Sequence, residues 1–397
     1  MNPHLRNGQL ASSDLRTLPA PTADEQVLSD QLEHRIRDEI VAAGGAISFA
    51  RFMALALYDP ALGYYTAGKH KFGAAGDFTT APELGSLFAR CLARQCQPIL
   101  ADLGDGDILE AGAGSGALAA DLLLELETLG ACPKRYLILE VGAELRARQT
   151  ETLRARTPQH LDRVHWLDRL PDTVRGIVLA NELLDALPVD RFKVTETGVH
   201  RLDVSWENDG FVWREQAAEA PIRERIEPLA LPSGYVSEIN LRAEAWVRSV
   251  AAALQQGVML LIDYGFPRAE FYHPQRTGGT LMCHYRHRAH DDPLMLIGLQ
   301  DITAHVDFSA IAEAGTGAGL ALAGYTSQAA FLIACGLEKL AASSDPDAVR
   351  THLALTQEIK KLTLPHEMGE LYKVIALGRG VSEPLLGFAS HDRRGRL

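Results

Sequence analysis

The chemistry of this chain is concentrated where apolar strands end in acids and glycines. Residues Asp107-Ile-Leu-Glu-Ala-Gly-Ala-Gly-Ser-Gly-Ala-Leu118 run from an apolar strand through glycines at 112, 114 and 116 into a helix. Such glycines accept torsions that a Cβ forbids, so a ligand can approach main-chain N–H groups at the start of the helix. The loop suits an adenosine cofactor. Because Gly112-x-Gly114-x-x-Ala117 also meets the dinucleotide pattern, the loop alone leaves nicotinamide and S-adenosylmethionine (SAM) both open. Glu110, two residues before Gly112, lies with Glu140 at the carboxyl edge where open α/β sheets bind ligands. Glu140 ends the following strand and can accept both ribose hydroxyls of an adenosine. Asp168, after a third short strand, is a candidate acceptor for the adenine amino group, or else a solvated loop acid beside Arg169.

A second signal lies in Ile177-Val-Leu-Ala-Asn-Glu-Leu-Leu-Asp-Ala-Leu-Pro188, where a buried strand ends at Asn181-Glu182 beside the glycine-loop strand. Ligands of open α/β sheets bind where the strand order reverses, outside the carboxyl ends. Asn181, Glu182 and Asp185 are therefore candidate catalytic residues facing the reactive end of a cofactor, and Asn181 is also a candidate cofactor contact. As purely local structure, Asn181 would be a strand-end turn residue and Asp185 a helix cap. A third group, His284, His287, His290 and His305 with Asp291, Asp292, Asp301 and Asp307 nearby, invites a metal reading. It lacks ligand spacing on a defined element and is interrupted by Arg286 and Arg288, so no metal is expected. A polar lid or substrate loop between Phe266 and Phe308, with Asp301 and His305 turned inward, is the reading adopted.

The elements that must position these groups alternate from Asp107 onward. Strands are expected at Ile108–Ala111, Tyr136–Glu140 and Gly176–Asn181, with helices from about Gly116 and Gly142, a pattern that gives a parallel sheet covered on both faces. Segments 192–194, 199–205 and 210–213 form an antiparallel excursion around the turn Asn208-Asp-Gly210. A helix over 238–254 feeds the strand Val258–Asp263, and segments 320–325, 326–335 and 372–377 add a helix and two closing strands. Upstream, helical spacing over 26–43 stops at Gly44-Gly45, Ser48 caps a second helix, and a glycine-rich stretch from Gly68 to Glu83 leads into a long helix with Pro82 in its first turn. Residues 1–25 are expected as a mobile extension, 26–104 as a helical region, 105–380 as the cofactor domain with insertions at about 195–235 and 266–308, and 381–397 as a tail.

Composition narrows the classes. The 397 residues, 47% hydrophobic, suffice for a large core, and the net charge of −12 gives no reason to expect a nucleic-acid partner. Five cysteines without C-x-x-C suit reduced thiols. The apolar run Val258–Ile262 is strand-sized and ends at Asp263, so no membrane span is expected. With no apolar signal core and with Asp14, Asp24 and Glu25 spoiling a transit pattern, the expected location is the cytoplasm rather than the mitochondrion.

Several motifs in order carry a resemblance. Tyr58-Asp-Pro-Ala-Leu-Gly-Tyr-Tyr65, Gly76-Asp-Phe-Thr-Thr-Ala-Pro-Glu83, Glu110-Ala-Gly-Ala-Gly-Ser-Gly116, Asn181-Glu-Leu-Leu-Asp-Ala-Leu-Pro188, Ile262-Asp-Tyr-Gly265 and Gln300-Asp-Ile-Thr-Ala-His-Val-Asp-Phe308 together resemble the MidA-like methyltransferases, from about residue 31 to 377. Only the loop Met295-Leu-Ile-Gly-Leu299 is more apolar than the family pattern. The resemblance implies an α/β fold with a class I methyltransferase Rossmann-like sheet, mostly parallel, carrying a helical N-terminal extension and inserted substrate-side elements. It also implies SAM as cofactor, a protein substrate methylated on arginine, and a link to respiratory complex I assembly. In that family the 76–83 loop folds over the cofactor, which makes Asp77, Thr79, Thr80 and Glu83 candidate contacts; as local structure, Glu83 is a favourable first-turn acid. A guanidinium acceptor, ionised below about pH 12, needs carboxylates to orient it and take its proton, which gives Glu182 the substrate-binding role, with Asn181, Asp185, Asp301 or His305 beside it. Two other classes remain at this stage: a nicotinamide oxidoreductase, and an assembly chaperone built on a methyltransferase fold.

Overall fold

The computed structural model describes residues 18–66, 80–342, 349–382 and 384–397. Two compact units are woven from alternating segments: one from within Met1–Phe78, Asp185–Ala243 and Ala269–Val306, the other from within Thr79–Leu184, Glu244–Arg268 and Asp307–Leu397.

The second unit holds the main sheet. The strands along its main path are β1 (Asp107–Ala111), β2 (Tyr136–Leu139), β3 (Val164–Leu167), β4 (Val174–Asn181), β5 (Leu254–Phe266), β6 (Ala321–Ser327) and β7 (Tyr372–Arg379). They lie in the order β6-β7-β5-β4-β1-β2-β3. The pairs from β5 to β3 are parallel, whereas β7 runs antiparallel to both β5 and β6. Val, Ile and Leu fill β1, β4 and β5 on both faces, as a sheet covered by helices on each side demands. Order reverses between β1 and β4, with Ala111 opposite Ala180, so the glycine loop and Asn181 emerge side by side at one carboxyl edge. The backbone is tight below that edge: a Cβ on Gly176 would stand 1.9 Å from the Asp107 carbonyl oxygen.

One expected helix is two. A short helix Ala81–Leu84 stops at Gly85, and α1 (Leu87–Leu103) starts afresh. Glu358, from a helix spanning Val349–Thr363, explains the break: its Oε1 accepts the Leu87 N–H at 2.8 Å, and a Cβ on Gly85 would collide with its carboxylate. Helices α2 (Ala117–Thr128) and α3 (Ala143–Arg156) follow β1 and β2 as crossovers.

The first unit packs the helices Ala23–Ala42 and Phe49–Tyr58 with a five-stranded antiparallel sheet and a three-stranded one, around Leu32, Ile36, Phe49, Phe52, Val204 and Ile302. Ser48 caps its helix by accepting the Arg51 N–H. Asn208 and Asp209 both take positive φ, 49° and 60°, and join strands Gly198–Glu207 and Gly210–Ala217, which is the twist a two-residue hairpin turn requires. Residues 238 and 239, expected at the head of a helix, end the strand Val236–Ile239 instead; the helix starts at Leu241 after Asn240, whose Oδ1 accepts the Ala243 N–H. Among the described residues, no helix is long and apolar enough to cross a membrane.

Candidate active site

The glycine loop has the geometry a cofactor needs. Gly112, Gly114 and Gly116 all have positive φ, 71°, 52° and 84°. At Gly114 a Cβ would meet nothing within 4 Å, so that side of the loop is open; at Gly116 it would press on the Gln149 backbone at 3.1 Å, so that glycine serves packing. Gly116 then enters α2, whose first N–H groups face the same edge.

Glu110 is almost fully buried within β1, and its Oε2 accepts the Tyr136 hydroxyl at 2.6 Å. Burial pushes its pKa up to about 7, and the Tyr136 bond pulls it only partly back. Glu140 is anchored at both oxygens: Oε1 accepts the Gly142 N–H at 2.8 Å and Oε2 the Gln149 side-chain amide at 3.3 Å. Burial raises its pKa while these bonds oppose the rise. Gln149 also donates to the Gly114 carbonyl at 3.1 Å and accepts from Trp166 Nε1 at 2.9 Å, which links the glycine loop, β2 and β3 through one amide. Asp168 is placed differently: its side chain is 85% exposed and pairs with Arg146 at 2.6 Å. Glu83 accepts a hydrogen bond from Ser115 within the loop, and Thr80 is the N-cap residue of the Ala81–Leu84 helix. Asp77 and Thr79 lie outside the described residues.

At the end of β4, Asn181 Nδ2 donates to Glu182 Oε1 at 3.1 Å, and Tyr372 donates its hydroxyl to Glu182 Oε2 at 3.0 Å. The buried Oδ1 of Asn181 has no hydrogen-bond partner among the described residues. An unmatched buried acceptor of this kind is costly unless a ligand donor meets it. Asp185, Asp301 and His305 belong to the first unit. There, Asp301 Oδ1 accepts the Tyr65 hydroxyl at 2.9 Å, Tyr65 stacks on Tyr58 with ring centroids 5.4 Å apart, and Tyr58 donates to the Ala186 carbonyl at 2.8 Å. Burial first, then the neighbouring Asp301, Tyr58 and Asp185, holds the Tyr65 pKa well above its ordinary value, so Tyr65 remains a donor. Asp185 is buried and its carbonyl accepts the Ala304 N–H; the His305 N–H donates to Thr280 Oγ1. Among the described residues, no three His, Cys, Asp or Glu side chains are grouped to hold a metal. Tyr136, Gln149 and Tyr372 received no role from the sequence, and Asp263 appeared only within the motif Ile262-Asp-Tyr-Gly265, because nothing local marks a residue whose polar tip reaches a neighbouring strand or loop.

Parallel strands in the order β3-β2-β1-β4-β5 with an antiparallel β7, a glycine loop after β1 and an acid after β2 define a Rossmann-like methyltransferase of class I. Residues 91–326 match the family described as "Putative S-adenosyl-L-methionine-dependent methyltransferase", and the chain belongs to that family. The chain is 30% identical to the protein arginine methyltransferase NDUFAF7, mitochondrial, of Danio rerio, over 85% of this chain and 84% of that one. With the Homo sapiens protein of the same name it shares 28%, over 85% and 81%. A crystal structure from Burkholderia thailandensis, bound to S-adenosyl-homocysteine, superposes with a TM-score of 0.93 at 47% identity, covering 96% of this chain and all of that one. The cofactor is S-adenosyl-L-methionine, and the nicotinamide alternative falls. The expected cytoplasmic location is corrected as well: the curated relatives are mitochondrial proteins by name, which contradicts it.

The residues present fit that cofactor. Gly114 has open space beside it, Asn181 Oδ1 has no partner among the described residues, and the acids Glu110 and Glu140 are buried nearby; these would give an amino acid joined to an adenosine space and acceptors.

Proposed function

We propose that this methyltransferase modifies an arginine side chain of a protein substrate. The observation that carries the reading is Glu182: a carboxylate at the end of β4, beside the glycine-loop strand, with each oxygen already oriented by a neighbour. S-adenosyl-L-methionine, when bound, supplies an electrophilic methyl group. In this reading Gly112, Gly114 and Gly116 hold it through their backbone, Glu140 takes the ribose hydroxyls, and Glu110 and Asn181 face its polar groups. Thr80 and Glu83 stand as further cofactor contacts.

Glu182 receives the guanidinium of the acceptor through charge-assisted hydrogen bonds, which fix the planar fork so that one nitrogen lone pair is aimed along the line of transfer. A guanidinium loses a proton when a nitrogen gains a methyl group, and Glu182 is the nearby base by type and position. Asn181 keeps the Glu182 carboxylate in plane through Nδ2. Asp185, Asp301 and His305 are proposed contacts to the client chain. The relatives named as mitochondrial arginine methyltransferases support the choice of arginine, and a client in respiratory-complex assembly rests on the resemblance of the motifs to the MidA-like family.

The test is Glu182→Gln. Titration calorimetry should give parent affinity for S-adenosyl-homocysteine, while labelled methyl transfer into protein from a cell extract drops at least ~100-fold, as loss of an orienting charge and proton acceptor implies. Parent-level transfer by this variant removes Glu182 from the mechanism.

A further inference from the structure

Glu182 occupies a backbone conformation that its side chain disfavours. Its φ is +51°, in the left-handed region where a Cβ crowds the following carbonyl, and such residues persist only where the surroundings over-determine them. Besides the Asn181 amide that donates to Glu182 Oε1, three further ties act here. The Glu182 N–H donates to the Ile262 carbonyl at 2.9 Å. Two residues on, the Leu184 N–H donates to Asp263 Oδ2 at 2.9 Å, while Asp263 Oδ1 takes the Tyr264 N–H at 2.9 Å. Asp263 is 1% exposed, so this carboxylate is buried between the end of β5 and the turn after β4 and accepts from both.

The third tie reaches the carboxylate itself. β7 places Tyr372 opposite Tyr264 of β5, and the two rings meet edge to face with centroids 5.4 Å apart. That packing sets the Tyr372 ring, and its hydroxyl donates to Glu182 Oε2 at 3.0 Å. For the sheet alone a phenylalanine would pack equally well; the hydroxyl is explained by the carboxylate it meets. A glutamate has three rotatable bonds, and an untethered one spreads over many rotamers.

We propose that Tyr372 is a positioning residue that aims the Glu182 carboxylate at the acceptor, and that Asp263 is the buried anchor of the turn from which Glu182 projects. This rests on the reading of Glu182 as the acceptor-orienting acid. Neither Tyr372 nor Asp263 exchanges a proton or forms a bond in the reaction; both act by restricting where Glu182 can be.

The experiment compares Tyr372→Phe, Asp263→Asn and Glu182→Gln in the full chain with S-adenosyl-homocysteine, by crystal structure, calorimetry and labelled methyl transfer into extract protein. In Tyr372→Phe the Glu182 side chain should spread over more than one rotamer, S-adenosyl-homocysteine affinity should stay at the parent value, and kcat should fall about ten-fold with KM for the cofactor unchanged, the size of one lost charge-assisted hydrogen bond. A merely structural hydroxyl would lower thermal stability and leave the rotamer and kcat alone. Asp263→Asn, which can no longer accept from both N–H groups, should release the turn and lower kcat further; if it does not fold, Tyr372→Phe carries the test. A single parent-like Glu182 rotamer in Tyr372→Phe overturns the proposal. Parent turnover in Glu182→Gln instead overturns the reading beneath it, and the rotamer measurement still reports on Tyr372 independently of turnover.

Discussion

Replacing Glu110 by glutamine should make the protein more stable above neutral pH, and the size of the gain follows from burial. Glu110 is 2% exposed within β1, and its pKa rises from the ordinary 4.5 to about 7, chiefly because burial penalises the charged form. Below about pH 4.5 both the folded and unfolded chains hold the proton, and the group contributes no difference. As pH rises, the unfolded chain gives up its proton first, so the folded state loses ground until about pH 7, where both forms are ionised. That interval, at about 1.4 kcal/mol per pH unit, amounts to roughly 3 kcal/mol lost on going from pH 4.5 to above 7. Glutamine keeps an acceptor for the Tyr136 hydroxyl and cannot ionise. Urea unfolding of cofactor-free parent and Glu110→Gln, run from pH 4.5 to 8, should therefore show a stability difference that grows by roughly 3 kcal/mol toward the alkaline end. Parallel curves would refute the reasoning and mean that Glu110 is solvated in the folded chain.

Glu140→Ala should weaken S-adenosyl-homocysteine binding about ten- to a hundred-fold by calorimetry, the value of one or two hydrogen bonds to a charged acceptor; unchanged affinity would take the ribose from this residue. The cysteines make a separate test of the core. Burial pushes Cys91 and Cys96 up to about 12, so at pH 8 the folded protein should leave them unmodified by iodoacetamide, while half-buried Cys132 reacts first. Mass spectrometry of the alkylated peptides reads the order directly, and early labelling of Cys96 would contradict the packing of α1 against the sheet.

What could be read from the sequence divides along physical lines. The centre of the main sheet was legible because β1, β4 and β5 carry largely apolar runs that stop at Gly112, Asn181 and Asp263, and parallel crossovers leave few alternatives for their order. The Asn208-Asp-Gly210 hairpin was legible because two consecutive positive φ angles need those residue types. The break between Ala81–Leu84 and α1 was not, since the group that makes it, Glu358, lies 271 residues from the N–H it accepts. The candidate site shows the same division. The loop glycines, Glu110, Glu140 and Asn181 announce themselves by spacing from a strand end. Tyr136, Gln149 and Tyr372 act across strands or from a helix, and no local pattern distinguishes them from packing residues; Asp263 stands in the motif Ile262-Asp-Tyr-Gly265, but the N–H groups it accepts lie partly on another segment. Asp168 follows β3 as its spacing predicts, with its side chain exposed and paired with Arg146, a partner that the sequence did not point to. The gathering of the N-terminal helices with residues 185–243 and 269–306 into one unit depends on long-range packing that spacing does not encode.

The claim that the Glu182 carboxylate serves an arginine acceptor is tested most directly by the identity of the methylated atom. The protein is incubated with cell extract and isotopically labelled S-adenosyl-L-methionine, and the labelled band is digested and sequenced by tandem mass spectrometry. Label on guanidinium nitrogens of arginine, absent when Glu182→Gln replaces the parent, is the expected result. Label on lysine, on a carboxylate or on a small molecule, or no transfer by a protein that binds the cofactor, would contradict it.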